Sequence, residues 1–157
     1  MLNKVRQLLR KPIKVQPCRE MYLDGHELTL DNLTLLGKGE TKIQLNETAW
    51  DQLRRTRAVV DRIVNSLEVD KGLYFGINTG VGAFSNKRIP LEEMKEYQIN
   101  LIRSHATGIG EFLPLNTSRR ILALRINTLA KGYSGMSVNT MRGLVDFYNS
   151  GCVPQIP

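Results

Sequence analysis

A chain of 157 residues, 41% hydrophobic and 24% charged, has the composition of an ordinary soluble globular domain and can remove roughly 70% of its unfolded surface from water. No apolar run approaches the ~20 residues that a membrane-spanning helix requires, so a membrane partner is not expected. The formal charge of +7 suggests nucleic acid until it is located: of 22 basic residues, six (Lys4, Arg6, Arg10, Lys11, Lys14 and Arg19) precede the first acid, and the remaining 16 face 15 acidic ones, which leaves no basic stripe for a phosphate backbone and no expected nucleic-acid partner.

Residues 1–20 read as a basic leader, and residues 21–157 as one unit with no internal repeat and no linker. Leu2, Val5, Leu8 and Leu9 among the basic residues resemble a mitochondrial targeting helix, but the segment is short and lacks serine, so a cytoplasmic protein is the preferred expectation. Cys18 and Cys152 lie far apart without C-x-x-C spacing and read as free thiols.

In chain order, Met21 to Leu28 predicts a small β-hairpin turning on Asp24-Gly25. Lys42-Ile43-Gln44-Leu45 alternates polar with apolar residues ahead of Asn46, a favourable N-cap for a helix to about Leu67. Trp50, Leu53, Val60, Ile63, Val64 and Leu67 form its apolar stripe. Gly72 to Ile89, with Gly76, Gly80 and Gly82 around Asn78-Thr79, predicts an irregular loop. Pro90, followed by Glu92 and Glu93, opens a second helix that carries Arg103, Ser104 and His105 before Gly108 and Gly110 stop it. A third helix, from Thr117 or Ser118 to Gly132, is apolar nearly all round and predicts burial on every side. A fourth begins near Ser137, with Met141, Leu144, Val145 and Tyr148 as its stripe, and ends before Gly151. The fold class is mainly α.

Several chemistries lack their residues. Gly80-Val81-Gly82-Ala83-Phe84-Ser85 misses the third glycine of a dinucleotide fingerprint and has no Walker lysine. His26, His105 and the two cysteines are scattered, so no metal site of usual spacing can be written, and no serine stands in a G-x-S-x-G elbow.

Three blocks carry a specific likeness: Phe75-Gly76-Ile77-Asn78-Thr79-Gly80-Val81-Gly82, then Asn100 to Gly110 around Arg103-Ser104-His105-Ala106-Thr107-Gly108, then Leu124 to Gly135 ending in Lys131-Gly132-Tyr133-Ser134-Gly135. In this order they resemble the aromatic amino acid ammonia-lyases. Leu23-Asp24-Gly25 and Leu36-Gly37-Lys38-Gly39 add a likeness to the animal histidine ammonia-lyases, so that residues 21–157 look like the N-terminal part of such an enzyme. The resemblance implies a helical fold, a homotetramer with sites shared between subunits, and elimination of ammonia from L-histidine to give trans-urocanate. It also implies an electrophilic methylidene-imidazolone cofactor, formed from an internal Ala-Ser-Gly, and a tyrosine base. An electron sink and a placed base are what the chemistry needs, since the proton to be removed is weakly acidic and an amine leaves poorly.

Carried across residue by residue, the likeness gives Ser104 and His105 to the substrate's imidazole, and Asn78 and Gly80 to the substrate-binding loop. Two departures stand out. The tyrosine position of the Gly-x-Asn-Thr-Gly loop is Phe75, with Tyr74 one place earlier as a substitute base only if the loop shifts by a residue; Val81 stands where an aromatic is usual. These 157 residues contain no Ala-Ser-Gly, the Ser-Gly pairs being preceded by Tyr133 and Asn149. The expectation is a chain inactive alone; the competing one is a non-catalytic protein that associates with a full-length paralogue, with complementation of a partner's site by Tyr74 and His105 as a third.

Overall fold

The computed structural model describes residues 19–67 and 71–157; most of the basic leader, with Pro12, Pro17 and Cys18, lies outside the described residues. Among the described residues there are five helices and a two-stranded sheet, with four of the helices packed around one core with the sheet. Strand β1 (Arg19–Leu23) pairs in parallel with β2 (Thr41–Leu45), setting Met21 opposite Ile43 and Leu23 opposite Leu45. β1 thus takes in Arg19 and Glu20, the last two residues of the expected leader.

The parallel pairing corrects the expected hairpin. Parallel neighbours need a crossover, and helix α1 (Leu30–Lys38) supplies it. The Asp24-Gly25 pair does other work. The Asp24 carboxylate accepts from the backbone N–H of His26 at 2.7 Å and of Glu27 at 3.1 Å, an Asx turn that leads the chain away from β1. Those two bonds favour the charged form and hold this carboxyl below its ordinary range. Gly25, at φ +93°, donates its N–H to Asn127 Oδ1, and a Cβ there would lie 2.5 Å from Lys131 Cγ. The turn is a docking point rather than a reversal. α1 itself is capped by Thr29, whose hydroxyl accepts from the Asn32 N–H, and closed by Gly39 in the left-handed region.

Helix α2 (Glu47–Ser66) starts at Asn46 as expected, with the Asn46 side chain accepting from the Ala49 N–H. Its stripe is buried only in part: Leu53 and Leu67 are inside, whereas Val64 is exposed. Helix α3 (Met94–His105) follows a single 3-10 turn over Leu91–Glu93 and contributes no buried residue. Helix α4 (Leu115–Ala130) begins behind Pro114, two residues before the expected start at Thr117, and α5 (Val138–Asn149) is capped by Ser137, which accepts from the Thr140 N–H.

Leu36, Ile43, Leu53, Ile126 and Met141 are fully buried and form the centre of one core between the sheet and helices α1, α2, α4 and α5. α4 lies close on α1 because Gly37 has no side chain: a Cβ there would sit 3.1 Å from the Asn116 carbonyl oxygen. The expectation that α4 is buried on every side is corrected. Ala123 and Ile126 are inside, but Ile121 and Leu124 remain 41% and 43% exposed on the opposite face. The stripe on α5 is as expected, with Met141, Val145 and Tyr148 buried. Two polar contacts lock α5 onto the rest: Tyr148 Oη donates to the Leu36 carbonyl at 2.7 Å, and the Asn149 carboxamide both accepts from and donates to the backbone of Ile43 at 2.8 Å. Asn149 thereby treats the free edge of β2 as a neighbouring strand would.

Candidate active site

The glycine-rich segment from Gly72 to Ile89 folds as a closed loop, with one 3-10 turn over Gly82–Phe84 and an antiparallel bridge between Thr79 and Arg88. Gly80 N–H donates to the Lys87 carbonyl and Ile89 N–H to the Asn78 carbonyl, which ties the two arms together. Gly80 is required on steric grounds, since a Cβ would stand 2.7 Å from the Phe84 carbonyl oxygen. Asn78 is 1% exposed and spends its carboxamide on the loop: Oδ1 accepts from the Tyr74 N–H at 2.7 Å and Nδ2 donates to the Gly72 carbonyl at 2.9 Å. Arg88 donates to the same carbonyl at 2.7 Å. In this geometry Asn78 and Gly80 build the loop from within, and what the loop presents is Phe75, Gly76, Ile77 and Val81. Replacing Asn78 by alanine is expected to cost about 1–3 kcal/mol of local stability, as for any buried hydrogen-bonding group removed from its partners. Hydrogen exchange checks this: the Gly80 and Ile89 amides speed up, and unchanged rates would contradict the assignment.

Among the described residues, two hollows are lined by the side chains that the loop presents. The larger, about 640 Å³, is lined by Thr56, Arg57, Val59 and Val60 of α2, by Phe75, Gly76 and Ile77, and by Tyr133 to Met136 from the α4–α5 connection. Arg57 reaches the Gly135 carbonyl, and Gly135, at φ +61°, admits Val60 so closely that any Cβ would meet its methyl group. Phe75 is 70% exposed and faces this space. Tyr74 is half-buried with its ring against Gly72, where an added Cβ would be 2.9 Å from it, and it does not line the hollow.

The second hollow, about 390 Å³ and mainly apolar, lies between Val81 and the end of α3, where Leu101, Ile102 and His105 line it. His105 Nδ1 is 2.8 Å from the Leu101 carbonyl oxygen and 3.1 Å from Ser104 Oγ, and Ser104 Oγ itself donates to that carbonyl. A carbonyl can only accept, so Nδ1 carries the proton; in the neutral ring Nε2 is then an acceptor directed away from the helix backbone. The Leu101 carbonyl thus holds the ring in one tautomer, with Ser104 Oγ beside it. Among the described residues no group of three or more His, Cys, Asp and Glu could hold a metal ion, and no helix is long and apolar enough to cross a membrane.

The loop is therefore the hub. Its first half meets the third sequence block at the larger hollow, and Val81 meets the second block at the smaller one, so Phe75 and His105 sit in different hollows. Sequence reasoning missed Tyr97, whose Oη accepts from the Val81 N–H at 3.1 Å. The signal was present: Tyr97, Leu101 and His105 recur every four residues and share one face of α3.

Fold and loop together define a class. Residues 28–157 match the family described as aromatic amino acid lyase, and the chain belongs to that family. It is 43% identical over 142 residues to the histidine ammonia-lyase of Bos taurus, covering 90% of this chain and 21% of that protein, and 43% identical to that of Caenorhabditis elegans, covering 90% and 20%. Among solved structures it superposes on the histidine ammonia-lyase of Trypanosoma cruzi with a TM-score of 0.76 at 41% identity, over 88% of this chain and 26% of that one. A tyrosine aminomutase of Streptomyces globisporus gives 0.79 at 26% identity, over 88% and 26%. The chain spans about a fifth of the length of the curated relatives it matches.

Proposed function

We propose that these residues form the histidine-facing part of an ammonia-lyase active site, one that converts L-histidine to trans-urocanate and ammonia when the rest of the site is present. The observation that carries this reading is His105 at the end of α3, its Nδ1 proton spent on Leu101 so that Nε2 can accept an N–H from the substrate's imidazole. The hollow beside it is lined by apolar side chains of Val81, Leu101 and Ile102, which offer a bound imidazole no competing polar partner. The relatives that are histidine ammonia-lyases support the substrate assignment.

The family's methylidene-imidazolone would supply the electron sink, but the residues present do not fit its formation. Neither Ser-Gly pair follows an alanine, and Gly135 of the first is packed against Val60 with its carbonyl held by Arg57. The base is also wanting, since Phe75 occupies its position and a phenyl ring accepts no proton. Binding by His105 alone lowers no barrier. The 157-residue chain incubated with histidine is accordingly expected to give no rise in urocanate absorbance, and steady turnover would overturn this. The positive test grafts residues 28–157, carrying Phe75→Tyr, into the Trypanosoma cruzi histidine ammonia-lyase in place of the matching stretch. The chimaera is expected to deaminate histidine in preference to phenylalanine, and the reverse preference would refute the assignment of His105.

One observation favours a second reading, association with further lyase segments such as a full-length paralogue. Ile102, Ile109 and Phe112 are 60–95% exposed near the end of α3, and Ile121 and Leu124 are exposed on α4, apolar side chains that a further lyase segment could cover. Co-purification with a complete aromatic lyase would support it, and a stable monomer in the presence of that lyase would count against it.

A further inference from the structure

We infer that Tyr97 is a positioning residue that seats the glycine-rich loop against the end of α3 and so sets the separation between Val81 and His105. The inference rests on the reading of His105 as the substrate-facing group. Helix α3 buries none of its residues, so apolar packing alone gives it little hold on the loop it must face. Val81 stands just before the 3-10 turn over Gly82–Phe84, and its N–H finds one partner among the described residues, Tyr97 Oη at 3.1 Å. Tyr97, Leu101 and His105 lie on one face of α3, two turns from end to end, and Val81 closes the hollow that Leu101 and His105 line. A small side chain at position 81 leaves that hollow unfilled, so the distance across it is set by the hydrogen bond rather than by contact of Val81 with the helix. Tyr97 also lines a groove with Ile89 and Pro90, where the loop leads into α3, so it stands beside both the middle of the loop and its exit.

The test uses Tyr97→Phe in the full chain, which keeps the ring and removes only the acceptor oxygen. By the usual worth of one hydrogen bond, the Val81 amide is expected to exchange roughly 2- to 10-fold faster. The ring signals of His105, a residue left unchanged and eight positions away, shift in the NMR spectrum because Val81 no longer stands at a fixed distance. Amides of α4 and α5 keep their rates. Unmoved Val81 exchange, unmoved His105 signals, or a general loss of protection that includes α4 and α5 would each overturn the inference, the last by showing that Tyr97 serves folding as a whole. Because these readouts need no histidine chemistry, a chimaera that fails to deaminate histidine while Tyr97→Phe still shifts His105 refutes the substrate reading and leaves the positioning role standing.

Discussion

In the chimaera bearing residues 28–157, restoring the hydroxyl by Phe75→Tyr raises kcat for histidine by about 10²- to 10⁴-fold over the unaltered graft, the contribution of one well-placed general base. That range corresponds to about 3–5 kcal/mol of barrier. The expectation follows from where the loop points its side chains. Phe75 faces the 640 Å³ hollow shared with α2 and the α4–α5 connection, whereas Tyr74 turns its ring onto Gly72. The same geometry predicts that Tyr74→Phe leaves the residual rate of the unaltered graft unchanged. Steady-state urocanate formation measures both. A large loss with Tyr74→Phe would show that the loop shifts register by one residue, and equal rates for Phe and Tyr at position 75 would remove the base from this position.

Ile126→Ala is expected to destabilise the chain by about 2–5 kcal/mol, the range for a large-to-small change at a fully buried site. Ile126 is fully buried in the centre of the core, so the methyls removed leave a void among packed neighbours. Five residues earlier on the same helix, Ile121 is 41% exposed, and Ile121→Ala is expected to change stability by no more than about 0.5 kcal/mol. Urea denaturation followed by circular dichroism, with both variants at matched concentration, separates the two positions. If Ile121→Ala costs as much as Ile126→Ala, and does so more at high protein concentration, the outer face of α4 is covered by a second chain in solution.

Much of the architecture was legible in the sequence because local rules carry it. Asn46 and Ser137 announce their helices through a side chain that accepts from an amide three residues on, and Met141, Val145 and Tyr148 mark the buried face of α5 by spacing alone. Helix α1 is equally local, with Thr29 and Gly39 at its ends and Leu33 and Leu36 between, but Asp24-Gly25 just before it carries the local signature of a hairpin. That dipeptide turns either way. Its choice depended on Asn127, 102 residues later, which takes the Gly25 N–H and fixes the turn against α4. No window of neighbouring residues contains that information.

The candidate site divides along the same line. By itself the amino-acid order determined which side chains are chemically able to act: His105 with its adjacent Ser104, a phenyl ring at position 75, no Ala-Ser-Gly, and glycines where backbone must bend. Side-chain chemistry and short-range sterics need no distant partner. Only the tertiary structure decided where those groups face. It turned Asn78 inward to bridge Gly72 and Tyr74, sent Phe75 and His105 into separate hollows, and brought Tyr97 under Val81. Such placements depend on contacts between elements far apart along the chain, and these form only when the core formed by β1, β2, α1, α2, α4 and α5 closes.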